Sequence, residues 1–136
     1  MTVQMLVVCE APADFRTATD LADRVCCERI DWLDDSHLPT QRTWTETEPG
    51  RPFLRWQDLK HLTLPGGKPP RPRSRFGGEP GAPDAAAADI ALQFASFLPP
   101  ADRPAAVLLI RDSDDQPDRR RGLTQASTGV PNHTWP

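Results

Sequence analysis

Acidic side chains follow two apolar runs of the chain, and this pattern is the main chemical signal in the sequence. The run Val107–Ile110 leads through one arginine into Asp112 and Asp114, and the run Met5–Cys9 leads directly into Glu10. Short apolar runs are typical of strands buried in a parallel sheet, and ligands bind beyond the carboxyl ends of such strands. Because Mg²⁺ prefers oxygen ligands, the pattern predicts a site for Mg²⁺, or for Mn²⁺ in its place.

A metal ion in that position would act on a phosphate ester. It would polarise a phosphodiester, lower the pKa of an attacking water and neutralise the charge that develops. An Asp-x-Asp pair can direct both carboxylates to one ion, and an acid from a neighbouring strand can bind a second ion or accept a proton. Asp115 extends the cluster, and clustered carboxylates repel one another unless a cation lies among them.

Length and composition predict one modest α/β domain. With 136 residues, 16 prolines and 8 glycines, we expect a single domain over residues 1–123, a flexible basic loop over 65–83 and a tail over 124–136. Three cysteines without metal-finger spacing indicate reduced thiols in a cytoplasmic protein. No apolar run is long enough to span a membrane. The net charge of −3 decides neither for nor against nucleic acid, and the oligomeric state is not indicated.

The elements that would position the acids can be read from the periodicity. We expect a strand over Val3–Cys9, then a helix capped by Asp14, and later a helix capped by Asp84. A strand over Ala105–Ile110 and a helix beginning near Gln116 complete the pattern. Helices that alternate with buried strands predict a Rossmann-like parallel sheet.

Aromatic and basic residues supply the remaining candidates. Trp32, Trp44 and Trp56 are predicted to anchor the core, since large aromatic side chains bury much of a small domain's apolar area. The basic loop is either a solvated insertion or a flap that contacts phosphate. Three consecutive arginines are open to three interpretations: a solvated helix face, a brace for the aspartates, or a phosphate-binding group. They are Arg119, Arg120 and Arg121.

The two acidic segments resemble the TOPRIM domain, in particular the small bacterial TOPRIM and overcoming-lysogenization-defect-type nucleases. The resemblance is carried by Glu10-Ala11-Pro12-Ala13-Asp14 after one strand and Asp112-Ser113-Asp114 after another. It implies magnesium-dependent phosphodiester chemistry on nucleic acid, with Glu10 as general acid–base or metal ligand. It also implies that Asp112 and Asp114 are metal ligands and that Asp14 is a supporting acid.

Two departures from the family pattern accompany this resemblance. Ala11 stands where the family usually has glycine, and the sequence ends soon after Asp114, so we expect a truncated or minimal form. The chain has no tyrosine, which excludes the covalent step of a topoisomerase. A primase would need further domains for which there is no room.

Three functions remain open at this point. The leading one is a TOPRIM-like metal-dependent nuclease. The alternative is a non-catalytic TOPRIM-like module that binds nucleic acid or a partner protein. The third is a phosphatase of the haloacid-dehalogenase type, in which the nucleophilic aspartate follows the first core strand, where this chain has Glu10.

Overall fold

The computed structural model describes residues 2–128, which form a mixed α/β structure with six strands and four helices. In chain order the elements are β1 (Val3–Cys9), α1 (Pro12–Arg29), α2 (Leu38–Gln41), β2 (Arg42–Trp44), β3 (Leu54–Arg55), a 3-10 helix (Trp56–His61), β4 (Arg75–Phe76), β5 (Glu79–Pro80), α3 (Ala85–Phe97), β6 (Ala106–Leu109) and α4 (Asp118–Thr128).

The chain divides into two units. The first contains residues up to Trp56 together with Pro100–Ile110, and the second contains Gln57–Pro99 together with the chain from Arg111 onward. The two units are defined by which residues pack against one another. The single domain expected over residues 1–123 stays a prediction.

The first unit is built on a parallel sheet with β1 at its centre. Met5 pairs with Trp44 of β2 and with Ala106 of β6, and Val8 pairs with residues of both β3 and β6. Because a strand has only two edges, β2 and β3 lie along one edge of β1 and β6 lies along the other. All three pairings are parallel, so the predicted α/β class with a parallel sheet is confirmed, and the arrangement is compatible with a Rossmann-like fold.

The core of this unit explains why β1 is central. The side chains of its last four residues are completely buried, as expected for an uninterrupted apolar strand. Phe15 of α1 packs over the sheet, with its ring stacked on Phe53 at 5.4 Å and edge-on to Trp44 at 5.7 Å. Arg42 donates to both carboxylate oxygens of Asp23 at 2.8 and 2.6 Å, which fastens β2 to α1.

Two expectations about this unit are wrong. The apolar run of β6 predicts a strand buried on both faces, but its residues are only half-buried, because in the described chain it pairs with β1 alone. Trp32 is predicted in the core, yet it lies in a turn after α1 and is 67% exposed. The expectation holds for Trp56, which is 8% exposed.

The second unit contains α3, α4, the 3-10 helix from Gln57 onward and a short hairpin. Helices α3 and α4 pack against each other, and many of their buried residues are small; they are Ala85, Ala88, Ala91, Ala95, Gly122 and Ala126. The helix expected near Gln116 is present as α4 and continues to Thr128. Residues 124–128 are therefore helical and not part of a tail, and residues 129–136 of the expected tail lie outside the described residues.

The segment 65–83 is more structured than its composition predicts. Strands β4 and β5 form an antiparallel hairpin, and the side chain of Phe76 in β4 is 6% exposed. Gly77 and Gly78 form the two-residue turn with φ of +63° and +84°, a conformation that favours glycine. The flexibility expected over residues 65–83 stays a prediction.

Among residues 2–128, no helix combines the length and the apolar content that crossing a membrane would require.

Candidate functional site

Glu10 lies on the turn between β1 and α1, as expected. It is solvent-exposed, follows the last residue of β1 directly, and comes two residues before α1 begins at Pro12. Ala11 is the N-cap and has extended backbone angles of φ −143° and ψ 160°. Any residue adopts that conformation, so Ala11 causes no backbone strain here.

Asp14 does not cap α1, which corrects that expectation. It is the third residue of the helix, in the first turn, where a carboxylate favours the positive end of the helix dipole. The helix begins earlier than expected because Pro12 suits the first helical position, where its missing N–H has no partner to lose.

Cys9 is the last residue of β1, and its buried thiol feels the charge of both acids. Burial, followed by the negative charge of Asp14 and then that of Glu10, raises the pKa of its thiol from 9.0 to about 11. The thiol donates to the carbonyl oxygen of Ala11 at 3.6 Å. Because both carboxylates act on the same buried thiol, the end of β1 carries a local negative field.

The end of β6 lies directly beside the end of β1. Val8 pairs with Leu109, and the Ile110 N–H donates to the Val8 carbonyl at 2.9 Å. Trp56 donates its indole N–H to the Ile110 carbonyl at 2.7 Å, which holds the chain in place where the strand ends. The two strands that precede the predicted acids are therefore hydrogen-bonded parallel neighbours.

Residues 112–115, the acidic loop, lie in the second unit, and a turn is closed by the Gln116 N–H donating to the Ser113 carbonyl at 2.7 Å. Its three aspartates are exposed, and the Asp112 carboxylate accepts the Asp114 N–H at 3.1 Å. Asp114 and Asp115 have φ of +43° and +59°. The left-handed region is unfavourable for residues with a Cβ, but aspartate tolerates it better than most because its side chain bonds locally.

Arg119 braces the acidic loop. Its Nη1 donates to the Asp112 carbonyl at 2.9 Å and to Asp114 Oδ2 at 2.8 Å. Its Nε lies 3.2 Å from Asp84 Oδ2, an ion-pair contact without a hydrogen bond, and the same oxygen accepts a hydrogen bond from Arg111 Nε at 3.2 Å. Two arginines and two aspartates thus alternate in a chain of ion pairs that links the start of α3 to the acidic loop and α4.

Arg120 and Arg121 lie elsewhere on α4. They line an open groove of about 450 Å³ together with Glu79, Pro117, Thr124, Gln125 and Thr128, and both are exposed. Arg121 Nη2 is 3.6 Å from Glu79 Oε2, a weak exposed ion pair. Arg119 therefore braces the aspartates, which is one of the three interpretations of this group. Arg120 and Arg121 face solvent.

The donor chemistry of the acidic residues fits a hard dication, because exposed carboxylates are the ligand class that Mg²⁺ takes. Within either unit, taken over the described residues, no three His, Cys, Asp or Glu side chains form a group that could hold a metal ion. Glu10 belongs to the first unit and the acidic loop to the second. The site that would combine them stays a prediction, as does its metal.

The sequence did not indicate that Asp84 and Arg111 belong to the chain of ion pairs. Asp84 is predicted as a helix cap, and it does occupy the N-cap of α3, but its φ is +67° and its side chain makes no capping bond. Its carboxylate pairs with Arg111 and Arg119 instead. Arg111, which separates the apolar run from the aspartates, was a usable signal of such a pairing. A charged side chain at the end of a strand needs a partner when it is partly buried.

Comparison of the chain with protein-family models, with curated proteins and with solved structures gave no match.

Proposed function

We propose that this chain is a metal-dependent phosphodiester hydrolase of the TOPRIM type that acts on nucleic acid. Asp112 and Asp114 are the proposed ligands of Mg²⁺ or Mn²⁺, and Glu10 is the proposed general acid–base or further ligand. Asp14 and Asp115 support the negative field. Arg120 and Arg121 contact the phosphate backbone.

The observation that carries this proposal is the pairing of β1 with β6. The register Val8↔Leu109 brings the carboxyl ends of these parallel neighbours level with each other. Glu10 follows one strand by one residue, and Asp112 follows the other by three. In open parallel sheets the ligand-binding crevice lies outside this edge.

The chain's own residues have distinct tasks in the proposed reaction. A bound dication supplies charge neutralisation and an acidified water. Asp112 and Asp114 would hold it through carboxylate oxygens, and both are exposed enough to do so. Glu10, also exposed, would take a proton from the attacking water or give one to the leaving oxygen. The solvated guanidinium groups of Arg120 and Arg121 would bind the polyanion.

The test is cleavage of labelled single- and double-stranded DNA and RNA with Mg²⁺ or Mn²⁺. We expect activity that Asp112→Ala lowers by about 100-fold or more, because loss of a metal ligand removes the stabilisation of transition-state charge. Asp102→Ala is the matched control, since Asp102 is an exposed loop aspartate before β6. Equal cleavage by Asp112→Ala and the wild type would contradict the proposal.

A specific observation favours the second candidate, a non-catalytic module that binds nucleic acid or a partner protein. The carboxylate of Asp114 already has a cation, the guanidinium of Arg119 at 2.8 Å. The charge of the acidic loop is thus compensated in part without a metal. Saturable binding of nucleic acid without turnover, unchanged by a chelator, would support this candidate over the hydrolase.

A further inference from the structure

We infer that copies of this chain associate head to tail, with residues 68–73 of one copy docking on an exposed turn around Trp32 of a second copy. Residues 68–73 are called the proline-rich segment below, and residues 30–33 the Trp32 turn. The first surface is basic and the second is aromatic and acidic. Neither contains a residue assigned to the proposed hydrolysis.

Proline restricts the backbone of the proline-rich segment at five consecutive positions. The rings of Pro69, Pro70 and Pro72 fix φ at about −65°. Lys68 and Arg71 each precede a proline, which disfavours helical angles and favours extended ones. The segment belongs to neither a helix nor a strand, so its residue types predict the polyproline II conformation. A chain restricted in this way loses less conformational entropy when it binds.

Hydrogen bonds attach the proline-rich segment to α3 while its outer residues stay in solvent. The Arg71 carbonyl accepts from Gln93 Nε2 at 2.6 Å. The backbone N–H and Nε of Arg73 donate to the carboxylate of Asp89 at 2.8 and 3.0 Å. Four residues of the segment are exposed; they are Lys68, Pro69, Arg71 and Pro72.

The three-residue period of polyproline II sorts these exposed residues by chemistry. Positions three apart share one edge of such a helix, so Pro69 and Pro72 share one edge and Lys68 and Arg71 share another. Peptides of this kind bind through prolines that dock on aromatic side chains. The partner surface must therefore supply an exposed aromatic ring with carboxylates close to it.

The Trp32 turn supplies the aromatic ring. The Leu33 N–H donates to the Ile30 carbonyl at 3.0 Å, which closes a turn with Asp31 and Trp32 at its centre. Leu33 is 7% exposed and anchors the turn, whereas Trp32 is 67% exposed. An indole left in water at this exposure gains free energy when another apolar surface covers it.

The charges of the two surfaces are opposite. Three exposed carboxylates lie in the turn or close to it in sequence, besides Asp34, which pairs with His37 at 2.9 Å; they are Glu28, Asp31 and Asp35. The proline-rich segment contains three basic residues and no acid. The acids beside Trp32 repel a phosphate backbone and attract a basic proline segment. Because the two surfaces differ, the contact between copies is heterologous.

The experiment is analytical ultracentrifugation of the full chain from about 10 µM to about 1 mM, the range in which weak contacts dissociate. We expect the average mass of the wild type to rise with concentration and to fall again when salt screens the ion pairs. Trp32→Ala and Pro69→Ala/Pro72→Ala each remove one surface and should stay monomeric. Both change exposed positions, and circular dichroism melts establish that the variants are folded.

Two matched controls should associate like the wild type. Phe97→Ala removes another exposed aromatic side chain, which is 57% exposed at the end of α3. Pro99→Ala/Pro100→Ala removes another exposed pair of prolines.

Mixing the two monomeric variants tests the head-to-tail contact itself. Trp32→Ala retains the proline-rich segment and Pro69→Ala/Pro72→Ala retains the Trp32 turn, so their equimolar mixture should form one-to-one dimers. That result supports the inference. A wild type that stays monomeric overturns it, and so does association that either variant retains or that the mixture fails to restore. A monomeric wild type that binds single-stranded DNA, with binding lost in Lys68→Ala/Arg71→Ala, overturns it in favour of a nucleic-acid contact.

Discussion

Gly122 of α4 lies directly against the backbone at the start of α3. It is buried, and a Cβ at this position would overlap the carbonyl oxygen of Pro83 and lie 2.9 Å from the Ala85 nitrogen. Both of those atoms belong to the backbone, which cannot turn aside as a flexible side chain can. The close packing therefore depends on the absence of a side chain and not on backbone freedom.

Gly122→Ala should destabilise the protein by about 3 kcal/mol, because inserting an atom into a closed interface forces the helices apart. Alanine's better helix propensity offsets only about 1 kcal/mol of that. The measurement is the urea midpoint of unfolding. Thr124→Ala, an exposed position on the same helix, should change stability by less than about 0.5 kcal/mol. A midpoint for Gly122→Ala at or above the wild type would refute the close packing.

At the residue scale, sequence reasoning located Glu10, Asp112 and Asp114 at the ends of strands, because apolar runs and the polar residues that end them are local features. It did not distinguish Arg119, which pairs with the acidic loop, from Arg120 and Arg121, which do not. That distinction depends on which face of α4 meets the acidic loop, and consecutive residues on a helix point about 100° apart. Only the packing of α4 selects among them.

At the scale of elements, the basic segment 65–83 is tied to α3 by Arg73. The backbone N–H and Nε of Arg73 donate to the two oxygens of Asp89 at 2.8 and 3.0 Å, and its Nη2 donates to the Ala126 carbonyl at 3.0 Å. Asp89 is 3% exposed, and these donors, together with Gln93 Nε2 at 3.0 Å, offset the cost of burying its carboxylate. The guanidinium also stacks over Phe76 at 4.7 Å.

Arg73→Ala should destabilise the protein by about 3 kcal/mol, since it leaves a buried carboxylate without its counter-ion. Thermal or urea unfolding followed by circular dichroism gives the change. Arg71→Ala, two residues away with an exposed side chain, is the control and should lie within about 0.5 kcal/mol of the wild type. If the two variants unfold alike, the ion pair has no structural role.

The elements with strong local signals agree with the sequence analysis, and the others do not. β1 and the body of α1 follow from an apolar run and from proline at the start of the helix. The hairpin β4–β5 was missed although Gly77-Gly78 is a recognised turn signal, because prolines and arginines on both sides indicated disorder. The edge position of β6 could not be predicted, since strand order is a tertiary property.

At the scale of the molecule, the proposed interaction with nucleic acid is an electrostatic one. The net charge is −3, so the chain as a whole repels a polyanion and binding must come from local basic surface. Arg120 and Arg121 are exposed neighbours on one groove. Each phosphate they neutralise releases counter-ions, and this release makes binding weaken with salt.

The double variant Arg120→Ala/Arg121→Ala should weaken binding to duplex DNA and reduce the slope of log K against log salt concentration by about 2, since two phosphates are then no longer neutralised. Fluorescence anisotropy at several salt concentrations measures the slope. Arg24→Ala/Arg29→Ala removes two exposed arginines of α1 and should leave it unchanged. Identical slopes in both double variants would show that nucleic acid does not bind at the groove.

The α/β class of the fold was predictable from the sequence, whereas the division of the chain into two units was not. Alternating apolar strands and helices indicate a parallel α/β sheet through short-range periodicity. The boundary between the two units falls between Ile110 and Arg111, which are neighbours in the chain. No periodic pattern in the sequence marks that boundary.

The fluorescence of Trp56 can report on the end of β6, the strand that precedes the acidic loop. Its ring is nearly buried, and its N–H bonds the Ile110 carbonyl from 54 positions away in the chain. Indole emission shifts to longer wavelength when water reaches the ring. In a variant whose other tryptophans are replaced by phenylalanine, fluorescence would therefore register loosening of this terminus as cations or polyanions are added, without any attached dye.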